Sequence, residues 1–161
     1  MAFCDLFKEF HPIQVDEDIY LRQHEPEQDA KSFWEIYHDE ENFKYYSGYR
    51  KPQEWNEERE IRAEASRVKG FKGKREYSWV VTYQGINTKV LKAVCRFGME
   101  IMGLERIEAY TRVDNIGSNR TLQKVGFTKE GLLRKRFMIK DTLGDCIAYS
   151  FVKADLEQIM E

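Results

Sequence analysis

Apolar positions recur along the chain at two spacings, and the switches between them mark the elements. Residues 19–23, IYLRQ, read as a short strand, followed by a polar turn over His24–Gln28. Asp29 is placed to cap a helix running to about His38, with Phe33, Ile36 and Tyr37 inside. The aromatic stretch 40–50, EENFKYYSGYR, predicts a short helix and a loop. From Glu54 to Val68, Ile61, Ala65 and Val68 fall at helical spacing on a charged background, and Gly70 and Gly73 end that helix. Residues 77–83, YSWVVTY, have the composition of a buried strand. After Gly85, a stripe of Val90, Leu91, Val94, Phe97 and Ile101 predicts a helix to about Met102. Residues 106–113 set Ile107, Ala109, Thr111 and Val113 against Glu108, Tyr110 and Arg112, the period-2 pattern of a strand with two different faces. Asp114 or Asn115 caps a short helix ending at Gly126. Two strands, about 132–139 and 145–153, close the chain around a turn at Asp141–Gly144. Strands alternating with helices and closing in a hairpin predict an α/β or α+β sheet covered by helices.

Length and composition narrow this picture. The chain has 161 residues and neither repeats nor linkers, so one domain is expected; 42% apolar and 14% aromatic residues favour a packed core over disorder. Charged residues reach 34% but cancel to a net −2, which argues against partners held by bulk charge, nucleic acid and membrane surfaces among them. The opening MAFCDLFKEF lacks a basic n-region and a long apolar run, and no span of ~18 apolar residues occurs, so a cytoplasmic protein is expected. Cys4, Cys95 and Cys146 are widely spaced, as are His11, His24 and His38. They predict buried or idle thiols and packing or surface imidazoles, with no metal site.

Two segments carry candidate chemistry. Gly85-Ile86-Asn87-Thr88 opens a helix, and free N–H groups at the positive end of a helix dipole suit a pyrophosphate. The stronger signal is 104–134, LERIEAYTRVDNIGSNRTLQKVGFTKEGLLR, where a strand leads into Asn115, Ser118-Asn119, Lys124, Gly126-Phe127, Glu130-Gly131 and Arg134. This pattern resembles the C-terminal half of the GNAT superfamily of N-acetyltransferases, nearest its ribosomal-protein N-terminal acetyltransferase group. The strand near Tyr20, the Phe33-Trp34 helix and the Trp79 strand follow the same order, so the resemblance covers nearly the whole chain.

The resemblance implies a GNAT-like mixed, mostly antiparallel central sheet with helices on both faces and a splayed parallel strand pair. It implies acetyl-CoA as co-substrate and direct attack of a primary amine on the thioester. The implied acceptor is a protein N-terminal amine, such as that of a ribosomal protein; a polyamine or aminoglycoside acetyltransferase and a non-catalytic coenzyme A-binding or interaction module stay open, as does a homodimer. Asn115 is implied as a hydrogen-bonding partner of the pantetheine arm as well as a helix cap. The tyrosine acid of many relatives is replaced here by Leu122, which leaves Ser118 as proton donor to the departing sulfur or as a plain first-turn serine. Glu108 and Tyr110 share a strand face and are candidate bases, with a surface carboxylate as the alternative for Glu108. Gly85, Ile86, Asn87 and Thr88 resemble the end of the pyrophosphate loop. The residues before Gly85 do not continue that loop. Two family strands and most of the loop, roughly 20–30 residues by ordinary element lengths, are expected to be missing near 84–85. Taken literally instead, strand 77–83, helix 88–102 and strand 106–113 make one βαβ unit with a generic phosphate site.

Overall fold

The computed structural model describes residues 5–39, 54–78, 80–81, 87–139 and 142–159. Within them the elements run in the order β1 (Ile13–Gln14), β2 (Tyr20–Arg22), α1 (Pro26–His38), α2 (Glu57–Lys72), β3 (Val80–Val81), α3 (Asn87–Arg96), β4 (Arg106–Arg112), α4 (Ile116–Val125), β5 (Thr128–Ile139) and β6 (Thr142–Val152). Short 3₁₀ turns lie at Asp5–Phe7 and Lys153–Ile159. The mixed α/β class with antiparallel ladders holds. The strands stand in two three-stranded sheets, β1-β2-β3 and β4-β6-β5, and every described ladder is antiparallel. A parallel pair is not among them, and β3 pairs with β2 while β4 pairs with β6, so the literal βαβ unit is not formed.

The first half is built on charge pairing as well as on apolar contact. Asp29 does not cap α1. The helix starts earlier, with Glu25 as the residue before Pro26. Proline suits that first position because its missing N–H needs no partner there. The Asp29 carboxylate turns back to accept from Arg22 Nη1 at 2.8 Å and from the Glu25 N–H at 2.8 Å. Helix α2 begins at an Asn56 cap that accepts from the Arg59 N–H and runs through Gly70 to Gly73. Between α1 and α2, His24 is buried. It stacks on Phe33 at 5.5 Å and lies 2.9 Å from the Glu64 carboxylate through Nδ1.

The second half carries the larger core. Cys95 and Met99 from the α3 side, Leu122 and Val125 from α4, and Phe127, Ile147, Tyr149 and Phe151 from the sheet form one buried cluster. Helix α3 ends at Arg96, short of the expected Met102, because Phe97–Ile101 widens into a π-turn. Gly98 sits where β4 passes; a Cβ there would meet Ile107 Cδ1 at 3.0 Å. Helix α4 ends as expected, with Gly126 in the left-handed region at φ 99° and its N–H turned back to the Gln123 carbonyl. Strand β5 starts at Thr128 and β6 at Thr142, so both strands begin earlier than the pattern implied. Lys135, at φ 52°, lies in an irregular stretch of β5, and its N–H donates to Asp145 Oδ1 at 2.8 Å.

The halves meet at Phe97, whose ring lies 5.7 Å from Tyr77 and 6.3 Å from His11. Lys89 adds a 2.7 Å ion pair to Asp16. Burial pushes the Asp29 carboxyl up, but the Arg22 guanidinium and the Glu25 N–H outweigh it and hold it below its ordinary 3.8. Its contribution to stability is therefore full above that value and is lost as pH falls through the lower folded one. Asp29→Ala strands a mostly buried guanidinium and should lower stability by about 3 kcal/mol. Urea unfolding of the variant beside the parent at neutral pH checks this.

Candidate active site

Strand β4 organises the site. Its alternation sends Ile107, Ala109 and Thr111 toward α3 and α4, and leaves Arg106, Glu108 and Tyr110 exposed on the opposite face. One edge pairs with β6 from Arg106↔Val152 to Arg112↔Cys146. No strand among the described residues pairs with the other edge. The chain then turns sharply: Asn115 N–H donates to the Arg112 carbonyl at 3.1 Å, and Arg112 grips Asp114 at 2.7 Å through both Nε and Nη2.

Asn115 caps α4, its Oδ1 accepting from the Ser118 N–H at 3.1 Å. Ser118 is half-buried, and its Oγ makes no hydrogen bond among the described residues. The Gly117 N–H, in the same first turn, has no backbone partner among them either. The start of α4 thus presents a hydroxyl, an N–H and the positive end of a helix dipole beside the end of β4's open edge. That combination favours a developing negative charge. Leu122 is 6% exposed and belongs to the core cluster.

Holding this corner is Asn119. It is 8% exposed and uses all its hydrogen-bonding capacity. Oδ1 accepts from Thr111 Oγ1 at 2.6 Å and from Tyr149 Oη at 2.9 Å. Nδ2 donates to the Arg112 carbonyl at 2.9 Å and to the Asn115 carbonyl at 2.7 Å. The motif contains Asn119, but the pattern assigned it no role. Its distance of four residues from Asn115 is visible in the sequence; the register that brings Tyr149 to it is not.

On the opposite face, Tyr110 Oη donates to Glu108 Oε2 at 2.7 Å. Arg106 donates to Glu108 at 2.8 Å and to Glu130 at 3.2 Å, and Ser150 donates to Glu130 as well. The Arg106 guanidinium, and after it the Tyr110 hydroxyl, hold the Glu108 carboxyl below its ordinary range. The Glu108 carboxylate in turn pushes the Tyr110 phenol up. At neutral pH Glu108 is an ionised, weakly basic carboxylate and Tyr110 a protonated phenol. Neither is tuned as a strong base. The two candidate bases are therefore brought together, on the face opposite Ser118.

Asn87 and Thr88 stand at the start of α3, and Thr88 is half-buried. Gly85 and Ile86, and the 84–85 junction, lie outside the described residues. Cys95 and Cys146 are buried free thiols, and burial pushes the Cys95 thiol up to about 12. Cys4 lies outside the described residues. No helix among the described residues is long and apolar enough to cross a membrane, and no group of three or more His, Cys, Asp or Glu gathers in metal-binding geometry among them.

Residues 82–128 match the family model described as an acetyltransferase (GNAT) domain. An uncharacterized N-acetyltransferase, YoaA, of Bacillus subtilis is 42% identical over 69 residues, covering 43% of this chain and 39% of that protein. A probable N-acetyltransferase, YjcK, of the same organism is 36% identical over 75 residues, covering 47% of this chain and 41% of that protein. The chain thus aligns with about two fifths of the length of these curated relatives. In fold, the ribosomal L7/L12 alpha-N-protein acetyltransferase RimL in complex with coenzyme A superposes with a TM-score of 0.71 at 14% identity, over 88% of this chain and 98% of that one. The microcin C7 self-immunity acetyltransferase MccE in complex with acetyl-CoA and AMP gives 0.69 at 16% identity, over 86% and 94%.

Asn119→Ala removes one side chain and leaves the half-buried Thr111 hydroxyl and the buried Tyr149 hydroxyl without their acceptor. A loss of about 3 kcal/mol is expected, read as a lower urea midpoint with an unchanged slope.

Proposed function

We propose that this chain, which carries a GNAT-type acetyltransferase domain, transfers the acetyl group of acetyl-CoA to a primary amine, with a protein N-terminal amine as acceptor. The observation that carries the reading is the corner formed by the open edge of β4 and the capped start of α4, with Ser118 Oγ directed to no other described partner. Bound acetyl-CoA would supply an activated acyl group as a thioester. Backbone groups along the β4 edge that no described strand pairs suit the amide-bearing arm, and Asn115 Nδ2, the half of that side chain not engaged in capping, can donate to it. The N–H groups at the start of α3, where Asn87 and Thr88 stand, suit the pyrophosphate.

Catalysis then rests on few groups. An α-amino acceptor has a pKa of about 7.7–8.0 and is partly neutral near neutral pH, so it needs little help from Glu108. Backbone N–H groups at the edge would polarise the carbonyl as negative charge grows on its oxygen. The departing thiolate would take a proton from Ser118 Oγ, which regains one from the nitrogen that has attacked and become cationic, while the Gly117 N–H and the α4 dipole lower the thiolate's energy before that transfer. The RimL neighbour, an α-N-protein acetyltransferase by its own description, supports an N-terminal amine as acceptor.

The same reading treats two central strands of the family sheet as lacking between 84 and 85. In support, β3 and β4 end separate sheets, each with one edge that no described strand pairs.

Acetyl-CoA at one hundred times its dissociation constant should stabilise the chain by about 2.7 kcal/mol, seen as a raised melting temperature. Absence of any shift at millimolar ligand removes the reading. With an N-terminal peptide as acceptor, Ser118→Ala should lower turnover by about 100-fold and leave acetyl-CoA affinity nearly unchanged, whereas Asn115→Ala should weaken both. Glu108→Gln should cost less than about tenfold, and kcat/KM should rise with pH through the acceptor's own pKa, because the neutral amine is the nucleophile. A polyamine acetylated in preference to the peptide would reassign the acceptor.

A further inference from the structure

Among the described residues, strand β4 is a seven-residue strand at the end of its sheet, and such an edge offers a row of backbone donors and acceptors to any strand that fits it. Its side chains are not a generic pairing surface. One face reads Arg106, Glu108, Tyr110, Arg112, with Asp114 just past the strand end, so a cation stands at each end of the strand, with an anion and a tyrosine between. Tyr110 and Val113 are 41% and 45% exposed, large apolar groups left in water at this edge.

We propose that, when no acetyl-CoA arm occupies this edge, two copies of this chain pair antiparallel along their β4 edges, with Tyr110 on the two-fold axis. In that register Glu108 stands opposite the second copy's Arg112, and Arg106 opposite its Asp114. Ile107 faces Val113, Ala109 faces Thr111, and the two Tyr110 rings meet. The charged pairs are thus opposite in sign, Ile107–Val113 is apolar on both sides, and Ala109–Thr111 is a pair of small side chains without a clash, which suits antiparallel neighbours. The bonds already made within each chain point the same way: Arg106 holds Glu108 at 2.8 Å and Arg112 holds Asp114 at 2.7 Å, so pairing joins two local ion pairs into a closed ring across the axis. The register is also selective. A slip of two residues in one direction sets Arg106 against the second copy's Arg112. In the other direction it sets Glu108 against Asp114. A slip of one would turn side chains to the wrong face. The product is a continuous six-stranded sheet of order β5-β6-β4 followed by its mirror order, with no edge left at its centre.

Sedimentation equilibrium of the full chain without acetyl-CoA tests this. The mass should rise from 19.2 kDa toward twice that value between low and several hundred micromolar protein. Glu108→Arg and Arg112→Glu should each remain at the monomer mass throughout, since each sets like charges opposite one another twice. The double variant restores the opposite pair and should regain the dimer. Mild oxidation gives a second, independent reading. Tyr110→Cys should crosslink, because directly opposed residues bring their Cβ atoms to about 5 Å, whereas Glu108→Cys should not, its counterpart lying several residues along the ladder. The parent chain under the same oxidant sets the baseline, and far-UV circular dichroism verifies that each variant is folded. A parent chain that stays at 19.2 kDa at every concentration overturns the proposal. So does a folded double variant that stays monomeric, or crosslinking of Glu108→Cys as readily as Tyr110→Cys.

Discussion

The corner at Asn119 is the constraint on which the second half depends. An amide buried between a strand, a helix and a second strand must find four partners or carry a heavy desolvation penalty. Here it finds them in Thr111, Tyr149 and the carbonyls of Arg112 and Asn115. Two consequences follow from that one satisfied group. The end of β4 and the start of α4 are fixed relative to one another through backbone carbonyls on both sides of the turn. And β6 is locked to the same point through the Tyr149 hydroxyl, so the position of Ser118 is set by a buried network rather than by the mobility of an exposed loop.

The first half is joined to this frame in a different way. Its three strands are short, and it meets the second half through the Lys89–Asp16 ion pair and, just past α3, through Phe97 against Tyr77 and His11. The π-turn at Phe97–Ile101 allows that contact. It adds a residue to the turn at the end of α3, and Gly98 leaves room for Ile107 within the same turn. Within this one turn Phe97 thus packs toward the first half and Met99 toward the core of the second.

Much of this was legible in the sequence where local rules decide. Alternation identified both faces of β4, and Gly126 marked the end of α4 because a left-handed cap needs a residue without Cβ. Asn115 was readable as a cap from its position alone. What was not legible depends on partners distant in the chain. Asp29 looked like a helix cap, yet its carboxylate serves Arg22 seven residues earlier. The helix over 87–102 showed one uninterrupted apolar stripe, and nothing in that stripe signals a π-turn. The pairing of β3 with β2 rather than alongside β4 is a matter of sheet order, which hydrophobic period cannot report. Glu108 and Tyr110 were correctly placed on one face, but the Arg106 guanidinium that lowers the Glu108 pKa comes from the same strand and alters their chemistry rather than their position.

The open edge of β4 has a consequence in mass action. If it serves both a second copy and the arm of acetyl-CoA, the two occupants exclude each other, and the cofactor binds only the monomer. The monomer fraction of a self-associating chain falls as roughly the inverse square root of total concentration once the dimer dominates. Activity per molecule would then decline as the protein accumulates and recover as the acetyl-CoA pool grows. A single strand edge would thus let output follow the ratio of cofactor to protein, with no separate effector site.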